Sequence, residues 1–484
     1  MESRGAFLVL LAILTAARVW YAGIIELSLD EAYYWVWSDH LDLSYYDHPP
    51  LVAWLIAATT LFDDGERFVR LGAALAAAGV TWLVYDLAAA LFESRRVGWG
   101  AAVAVTVAPI LAAGGFIVTP DSPLLFFWTL ALWCGYRVID TQRPGWWYAT
   151  GVAFGLAMLS KYPAAFFAPC LLLFLLMAPS QRHWLFRKEP WLGFLLGLVM
   201  FAPVIVWNAR HDWVSIGFQL THGFKPHQWR PVADFAEFWG LQAAVYGIVL
   251  FGYLIAGVVG VYALWRRSGR DDYLYLFALS APILLFFLLN SFRTRMEGNW
   301  PVIAFVAAAV AAAGWVATVR GRWLVAGWRA GLVVAAALTI VAHVFLAAPA
   351  VDFPQRVEIS RRLYGWSMLG SATATRMGEL SPDAFVVTPR FQMMSLLRYY
   401  TPTRPPVYMV GGEGRFPWFG DVAPLDGRDA LFVVETERID EPQMAAHFDR
   451  VEPAGELEIT RYGELVRRFS FFKCYNYGGG LIAF

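Results

Sequence analysis

The chain has 484 residues, of which 58% are hydrophobic, 17% aromatic and only 16% charged. That is too apolar for an ordinary water-soluble enzyme, and 38 basic against 38 acidic residues leave no net charge to favour nucleic acid as a partner. Three cysteines (Cys134, Cys170 and Cys474) offer neither a disulfide framework nor a metal spacing.

In chain order, the first apolar run, residues 6–27, is too long for the core of a cleaved leader and reads as a retained helix. Ten more runs approach the ~20 residues a helix needs to cross a bilayer. They cover residues 68–92, 98–117, 123–139, 146–159, 163–177, 191–207, 239–265, 273–289, 301–319 and 324–346. The pair 146–159 and 163–177 is short and parted only by Ser160-Lys161-Tyr162. With the N-terminus cytoplasmic, Arg95/Arg96, Arg182/Arg187/Lys188, Arg266/Arg267/Arg270 and Arg320/Arg322 all fall in inside loops, as the positive-inside rule requires. Residues 28–67, 119–122, 160–162, 208–238 and 290–300 then face outward, and so does the tail. Nearly every unusual polar cluster falls on that outer side.

The tail is less apolar. Turn clusters stand at Ser381-Pro382-Asp383 and Gly411-Gly412-Glu413-Gly414, with strand-like runs at 384–388, 407–410 and 430–435. An amphipathic stretch at 355–369 has helical spacing. The expected organisation is a transmembrane catalytic domain over 1–349 and an extracytoplasmic α/β domain over 350–484.

The polar clusters carry the chemistry. Ser28-Leu29-Asp30-Glu31 fits a capping box, with Glu31 reaching back to the Ser28 amide. Asp30 points about 100° away from Glu31 and cannot share that duty, so it is the candidate general base for a hydroxyl. In Tyr45-Tyr46-Asp47-His48-Pro49-Pro50-Leu51 the prolines stiffen the loop. Asp30, Asp47 and His48 are ligand types a divalent cation accepts, without a fixed metal-site spacing. In Thr119-Pro120-Asp121-Ser122-Pro123, Ser122 suits an N-cap before Pro123, which leaves Asp121 as a second outward carboxylate. Lys161 either snorkels to the outer surface or contacts a phosphate. Asn290 to Pro301 holds Arg293 and Arg295 on the side where cations are sparse. They either pair with Glu297 or lipid headgroups, or offer planar donors to a phosphate.

Asp30-Glu31 after the first span, Asp47-His48-Pro49-Pro50-Leu51 in the first loop and Asn299-Trp300-Pro301 before a late span resemble the dolichyl-phosphate-mannose protein mannosyltransferases. The likeness is greater to their bacterial relatives, which include the lipid A aminoarabinose transferases. It runs from about residue 27 to 319, and more loosely through 388–405 and Tyr475-Asn476-Tyr477. The resemblance implies a GT-C fold: a polytopic helical membrane protein of about eleven spans, with its active site at the outer face of a bacterial inner membrane. It also implies transfer of a sugar from a polyprenyl-phosphate donor to an envelope lipid, glycan or protein. In that picture Asp30 is the catalytic acid-base, accompanied by Glu31 and Asp121. Lys161, Arg293 and Arg295 hold the donor phosphate, and Tyr33, Tyr46, Asp47, His48, Glu297 and Asn299 line the substrate loops. Relatives often carry lysine before the Pro-Pro step, whereas His48 titrates near neutrality, so a fixed cation is missing there. The alternative is a protein that binds or translocates a polyprenyl lipid and breaks no bond.

Overall fold

The computed structural model describes residues 3–223, 230–348, 359–410, 414–416, 418, 425–436, 445–461 and 463–480. All eleven expected spans are helical, because a backbone in hydrocarbon must satisfy its hydrogen bonds within the segment. In chain order the helices are α1 (Arg4–Ala22), α2 (Leu29–Ser38), α3 (Leu51–Thr59), α4 (Glu66–Leu91), α5 (Arg95–Val107), α6 (Pro109–Ala113), α7 (Asp121–Thr141) and α8 (Gly145–Ser160). They continue as α9 (Phe167–Met177), α10 (Lys188–Arg210), α11 (Val214–Gly223), α12 (Pro231–Tyr246), α13 (Ile248–Ser268), α14 (Asp271–Ala278), α15 (Ala281–Asn290), α16 (Val302–Val319) and α17 (Arg322–Ala347). The tail adds α18 (Trp366–Met377) and α19 (Phe391–Tyr400).

Among the described residues eight helical segments are long and apolar enough to span a membrane. The other three expected spans are shorter or broken. Ala108 turns extended before Pro109, which splits α5 from α6. Lys161, also extended, separates α8 from a 3-10 turn that leads into α9. The expected span 239–265 is interrupted as well: Gly247, at φ +79°, divides α12 from α13, a conformation glycine adopts without a Cβ clash.

The chain forms two compact units. The first comprises Met1–Ala22, Leu43–Leu55 and Arg70–Val344. Here α16 is buried along nearly its whole length. α8 and α10 cross backbone to backbone at Gly151, Gly155, Gly193 and Gly197, where a Cβ on Gly151 would fall 1.9 Å from the Gly193 carbonyl oxygen. At one end of this bundle Arg270 donates to the Leu91 carbonyl at 2.9 Å, Gln142 to Gln181 at 3.2 Å and Gln181 to Asp271 at 3.3 Å. Those contacts gather the turns that carry the basic residues. Asp121, Lys161 and Asn299, from loops expected to face outward, meet at the other end. α7 joins the two ends: its 21 residues rise ~30 Å, about the thickness of a bilayer's hydrocarbon core.

The second unit comprises Gly23–Asp42, Ile56–Val69 and Phe345–Phe484, so it includes α2 and pieces of the first loop as well as the tail. Its sheet is built from β1 (Phe385–Thr388), β2 (Val407–Met409), β3 (Ala430–Glu435), β4 (Phe448–Arg461) and β5 (Glu464–Tyr477), in the order β2-β1-β3-β5-β4. β1 pairs parallel with β2 and β3, while β5 runs antiparallel to β3 and β4. The three strand-like runs of the sequence are β1, β2 and β3; the long β4–β5 hairpin was not anticipated. Of the helix expected at 355–369, Ile359–Leu363 form a 3-10 turn and only residues 366–369 are α-helical. Gly365, at φ +93°, precedes a helix that starts at Trp366, and residues 355–358 lie outside the described residues, as do Gly411, Gly412 and Glu413. The Glu26 carboxylate accepts from the Trp366 and Ser367 amides at 2.8 and 3.0 Å, stabilising the positive end of α18.

Candidate functional site

In the second unit Ser28 and Glu31 make the expected capping box. The Ser28 hydroxyl accepts from the Glu31 amide at 3.3 Å, and the Glu31 carboxylate accepts from the Ser28 amide at 2.9 Å. Glu31 is wholly buried, whereas Asp30, in the same first turn, is exposed. The Glu31 carboxylate is therefore engaged in the capping box, which Asp30 does not share. Tyr33, expected in a substrate loop, is 2% exposed and packs its ring 4.7 Å from Phe391, 4.6 Å from Trp37 and 5.7 Å from Phe416. It anchors α2 to α19, helped by Trp35 against Tyr399 at 4.9 Å and by the Tyr400 hydroxyl, which accepts from the Leu27 amide at 2.6 Å.

In the first unit the polar residues of separate loops converge on one carboxylate. The Lys161 ammonium lies 2.8 and 2.9 Å from the two oxygens of Asp121, and the Asn299 amide donates to the same carboxylate at 2.5 Å. Both side chains of the ion pair are largely shielded, at 10% and 15% exposure, which raises the cost of leaving either alone. Asp121 is the first residue of α7, with Pro120 at the N-cap. The helix thus begins two residues earlier than Ser122-Pro123 suggested, and the negative side chain sits at its positive end. The Ser122 hydroxyl donates to the Ile117 carbonyl at 3.3 Å and closes the turn.

α12 extends this cluster with residues the sequence did not single out. Gln242, fully buried, donates to the Gly298 carbonyl at 2.8 Å, beside Asn299, and its own carbonyl oxygen has no partner. The Tyr246 hydroxyl is likewise buried without a partner, next to Gly247, where the helix breaks. Buried polar atoms of this kind are uncommon and call for a water or a ligand group. Gln242 could have been found as a polar residue inside an expected span; Tyr246 carries no such signal.

Asp47 is buried, and its backbone carbonyl accepts from Gln219. The Tyr46 ring packs 5.2 Å from Phe218, and the half-buried His48 closes a turn through its carbonyl to the Tyr45 amide at 3.1 Å. Arg295 pairs with Glu237 of α12 at 3.1 Å and not with Glu297. Glu297 and Arg293 are exposed, and neither makes an ion pair among the described residues. No group of three His, Cys, Asp or Glu side chains among the described residues is arranged to hold a metal ion. Asp30, Asp47 and His48 are thus not a ligand set by themselves, and Asp30 belongs to a different compact unit from the other two.

The fold matches solved structures over almost its full length. ArnT from Cupriavidus metallidurans aligns with a TM-score of 0.66 over 97% of this chain and 98% of its own, at 16% identity. Its complex with undecaprenyl phosphate aligns equally well, at 15% identity. The chain has a GT-C fold. Within it, residues 47–207 match the family model of dolichyl-phosphate-mannose-protein mannosyltransferase. This GT-C protein is 28% identical to the lipid A galacturonosyltransferase RgtD of Rhizobium johnstonii over 298 residues, 59% of each chain. It is 26% identical to an undecaprenyl phosphate-alpha-4-amino-4-deoxy-L-arabinose arabinosyl transferase of Pseudomonas fluorescens over 201 residues, 40% of this chain and 33% of the relative. The matches thus span well under two thirds of the length of these relatives. The eight long apolar helices make the GT-C chain a multi-pass membrane protein.

Proposed function

We propose that this protein is a glycosyltransferase that moves a sugar from a polyprenyl-phosphate donor of the undecaprenyl type to an envelope acceptor, lipid A foremost. The observation that carries the reading is Asp30, an exposed carboxylate in the first turn of α2, beside the capping box that Glu31 completes. The activities for which the relatives are named and the complex of the structural neighbour with undecaprenyl phosphate support it.

The reaction is a single displacement. The acceptor oxygen forms a bond to the anomeric carbon, and the bond from that carbon to the phosphate oxygen breaks. The proton of the acceptor passes to Asp30, and the bonding pair leaves with polyprenyl phosphate. One displacement inverts the anomeric centre, in contrast to the two-step retaining pattern. Cations stabilise the departing phosphate. Arg293 is the readiest of them, since its charge is uncommitted. Lys161 and Arg295 would exchange the carboxylates of Asp121 and Glu237 for the phosphate, while Asn299 and Gln242 hold the loop that bears Arg293 and Arg295. The spans, residues 1–349, house donor binding, and the domain over 350–484 serves the acceptor. The basic turns gathered at one end of the bundle favour the cytoplasm for that end, which supports reading the site as periplasmic, on a bacterial inner membrane.

The test is to incubate the purified protein in detergent with a panel of polyprenyl-phosphate sugars and an envelope-lipid extract, then follow free polyprenyl phosphate by mass spectrometry. Wild type should release it while Asp30→Asn binds donor without turnover. Binding without release in both proteins would replace the transferase reading with lipid binding or translocation.

A further inference from the structure

The parallel part of the tail sheet runs β2-β1-β3. The chain leaves β1 through α19 to β2 on one side and returns across β1 to β3 on the other, so the strand order reverses between β1 and β3. In open parallel sheets ligands settle at such a reversal, outside the carboxyl ends of the strands, and anions settle against the helix N-terminus that follows. The side chains found there suit an anion. Thr388, the last residue of β1, is fully buried, and its hydroxyl has no hydrogen-bond partner among the described residues. α19 starts two residues after Pro389 with Arg390 as its N-cap and no side-chain cap, so its first amides lack the acceptor a Ser, Thr or Asp would supply. Arg390 reaches Glu435, the last residue of β3, only at 3.8 Å, a loose contact that spans the reversal point. Arg415 is buried with its guanidinium over the Phe391 ring at 4.5 Å, at the same helix start.

We propose that this crevice at the carboxyl ends of β1 and β3 binds a phosphate monoester. Arg390 and Arg415 supply the charge, the first amides of α19 and the Thr388 hydroxyl donate hydrogen bonds, and Glu435 releases Arg390 as the phosphate arrives. The crevice lies beside the helix that bears Asp30. Phe391, the first residue of α19, packs on Tyr33, and Tyr33 stands one turn along α2 from Asp30. On the transferase reading, which this last step rests on, the phosphate belongs to the acceptor, so the enzyme selects a phosphorylated glycolipid and presents its hydroxyl to Asp30.

The test uses the full-length protein in detergent. Its thermal unfolding is followed against inorganic phosphate and against chloride at matched ionic strength, for wild type, Arg390→Gln and Thr388→Val. Thr388→Val is nearly isosteric and removes an unsatisfied hydroxyl, so it should fold at least as well as wild type. Phosphate should stabilise the wild type, and each variant should weaken that response about tenfold, the worth of one charge-assisted hydrogen bond. Equal stabilisation of all three proteins, or none of the wild type, overturns the site. A second arm compares sugar transfer to an envelope glycolipid before and after phosphatase treatment. Preference for the phosphorylated form, lost in Arg390→Gln, supports the acceptor role, and equal transfer to both forms overturns it. Phosphate binding that depends on Arg390, with no transfer to either form, would retain the site and remove the transferase reading.

Discussion

Glu31 lends its carboxylate to the Ser28 amide, which ties one acidic residue of the first loop to the fold, while Asp30, the proposed base, lies outside that capping box. The two roles separate by substitution. Glu31→Gln keeps an acceptor for the amide and should leave both melting temperature and turnover near wild type, whereas Glu31→Ala should cost about 0.5–2 kcal/mol of stability, as loss of a helix cap does. A Glu31→Gln protein that melts normally but has lost turnover would make Glu31 a catalytic group after all. The Asp121–Lys161 pair calls for a different comparison. Lys161→Met leaves a shielded carboxylate with only Asn299, and breaking a buried pair from one side costs about 3–5 kcal/mol, here toward the lower end because the pair is slightly exposed. Adding Asp121→Asn to Lys161→Met should recover part of the lost melting temperature in detergent. If the double variant is no more stable than the single one, the pair does not hold these loops together. The capping box was legible in the sequence because its partners are three residues apart. The ion pair was not, since 40 residues separate Asp121 from Lys161 and only the antiparallel run of α7 and α8 brings them together. Arg295 shows the same limit: Glu297 was the near partner in sequence, and Glu237 is the partner in space.

At the scale of elements, hydropathy revealed where helices lie because each must solvate itself in lipid, and it missed where they break because a break needs only one residue. Ala108-Pro109 and Gly247 interrupt apolar runs whose average composition barely changes, whereas the break at Lys161 was legible from its charge. β4 and β5 escaped notice for a related reason. Arg467, Arg468 and Lys473 dilute the hydrophobic alternation of β5, and β4, at the edge of the sheet, is largely exposed. Glycine spacing was the more informative signal, although it remained mute until α8 and α10 were seen to cross. Gly151 has no room for any side chain against the Gly193 carbonyl, so Gly151→Val must push the two helices apart. Overpacking of this kind costs about 1–3 kcal/mol. Gly145→Val, at the start of the same helix with open space around its Cβ position, is the control and should cost less. Equal losses of melting temperature in the two variants would mean that helix propensity, and not the α8–α10 contact, sets the penalty.

For the molecule as a whole, the orientation in the membrane is the property on which the proposed chemistry depends most. The turn after α13 carries Arg266, Arg267 and Arg270 and is bonded through Arg270 to the end of α4, while the loop before α16 joins the Asp121 cluster at the other end of the bundle. Moving these basic turns to the outer face would oppose the bias that sets topology during insertion. The native cysteines Cys134, Cys170 and Cys474 are all buried and free, so they give little background to a thiol reagent. Ser268→Cys and Thr294→Cys therefore report on opposite ends of the bundle. A membrane-impermeant maleimide added to intact cells whose outer membrane has been made permeable should label Thr294→Cys at once, and Ser268→Cys only after the inner membrane is broken. The reverse pattern would put the Asp121 cluster in the cytoplasm, where a periplasmic acceptor could not reach it. The transfer reaction would then have to be sought on the other face of the membrane.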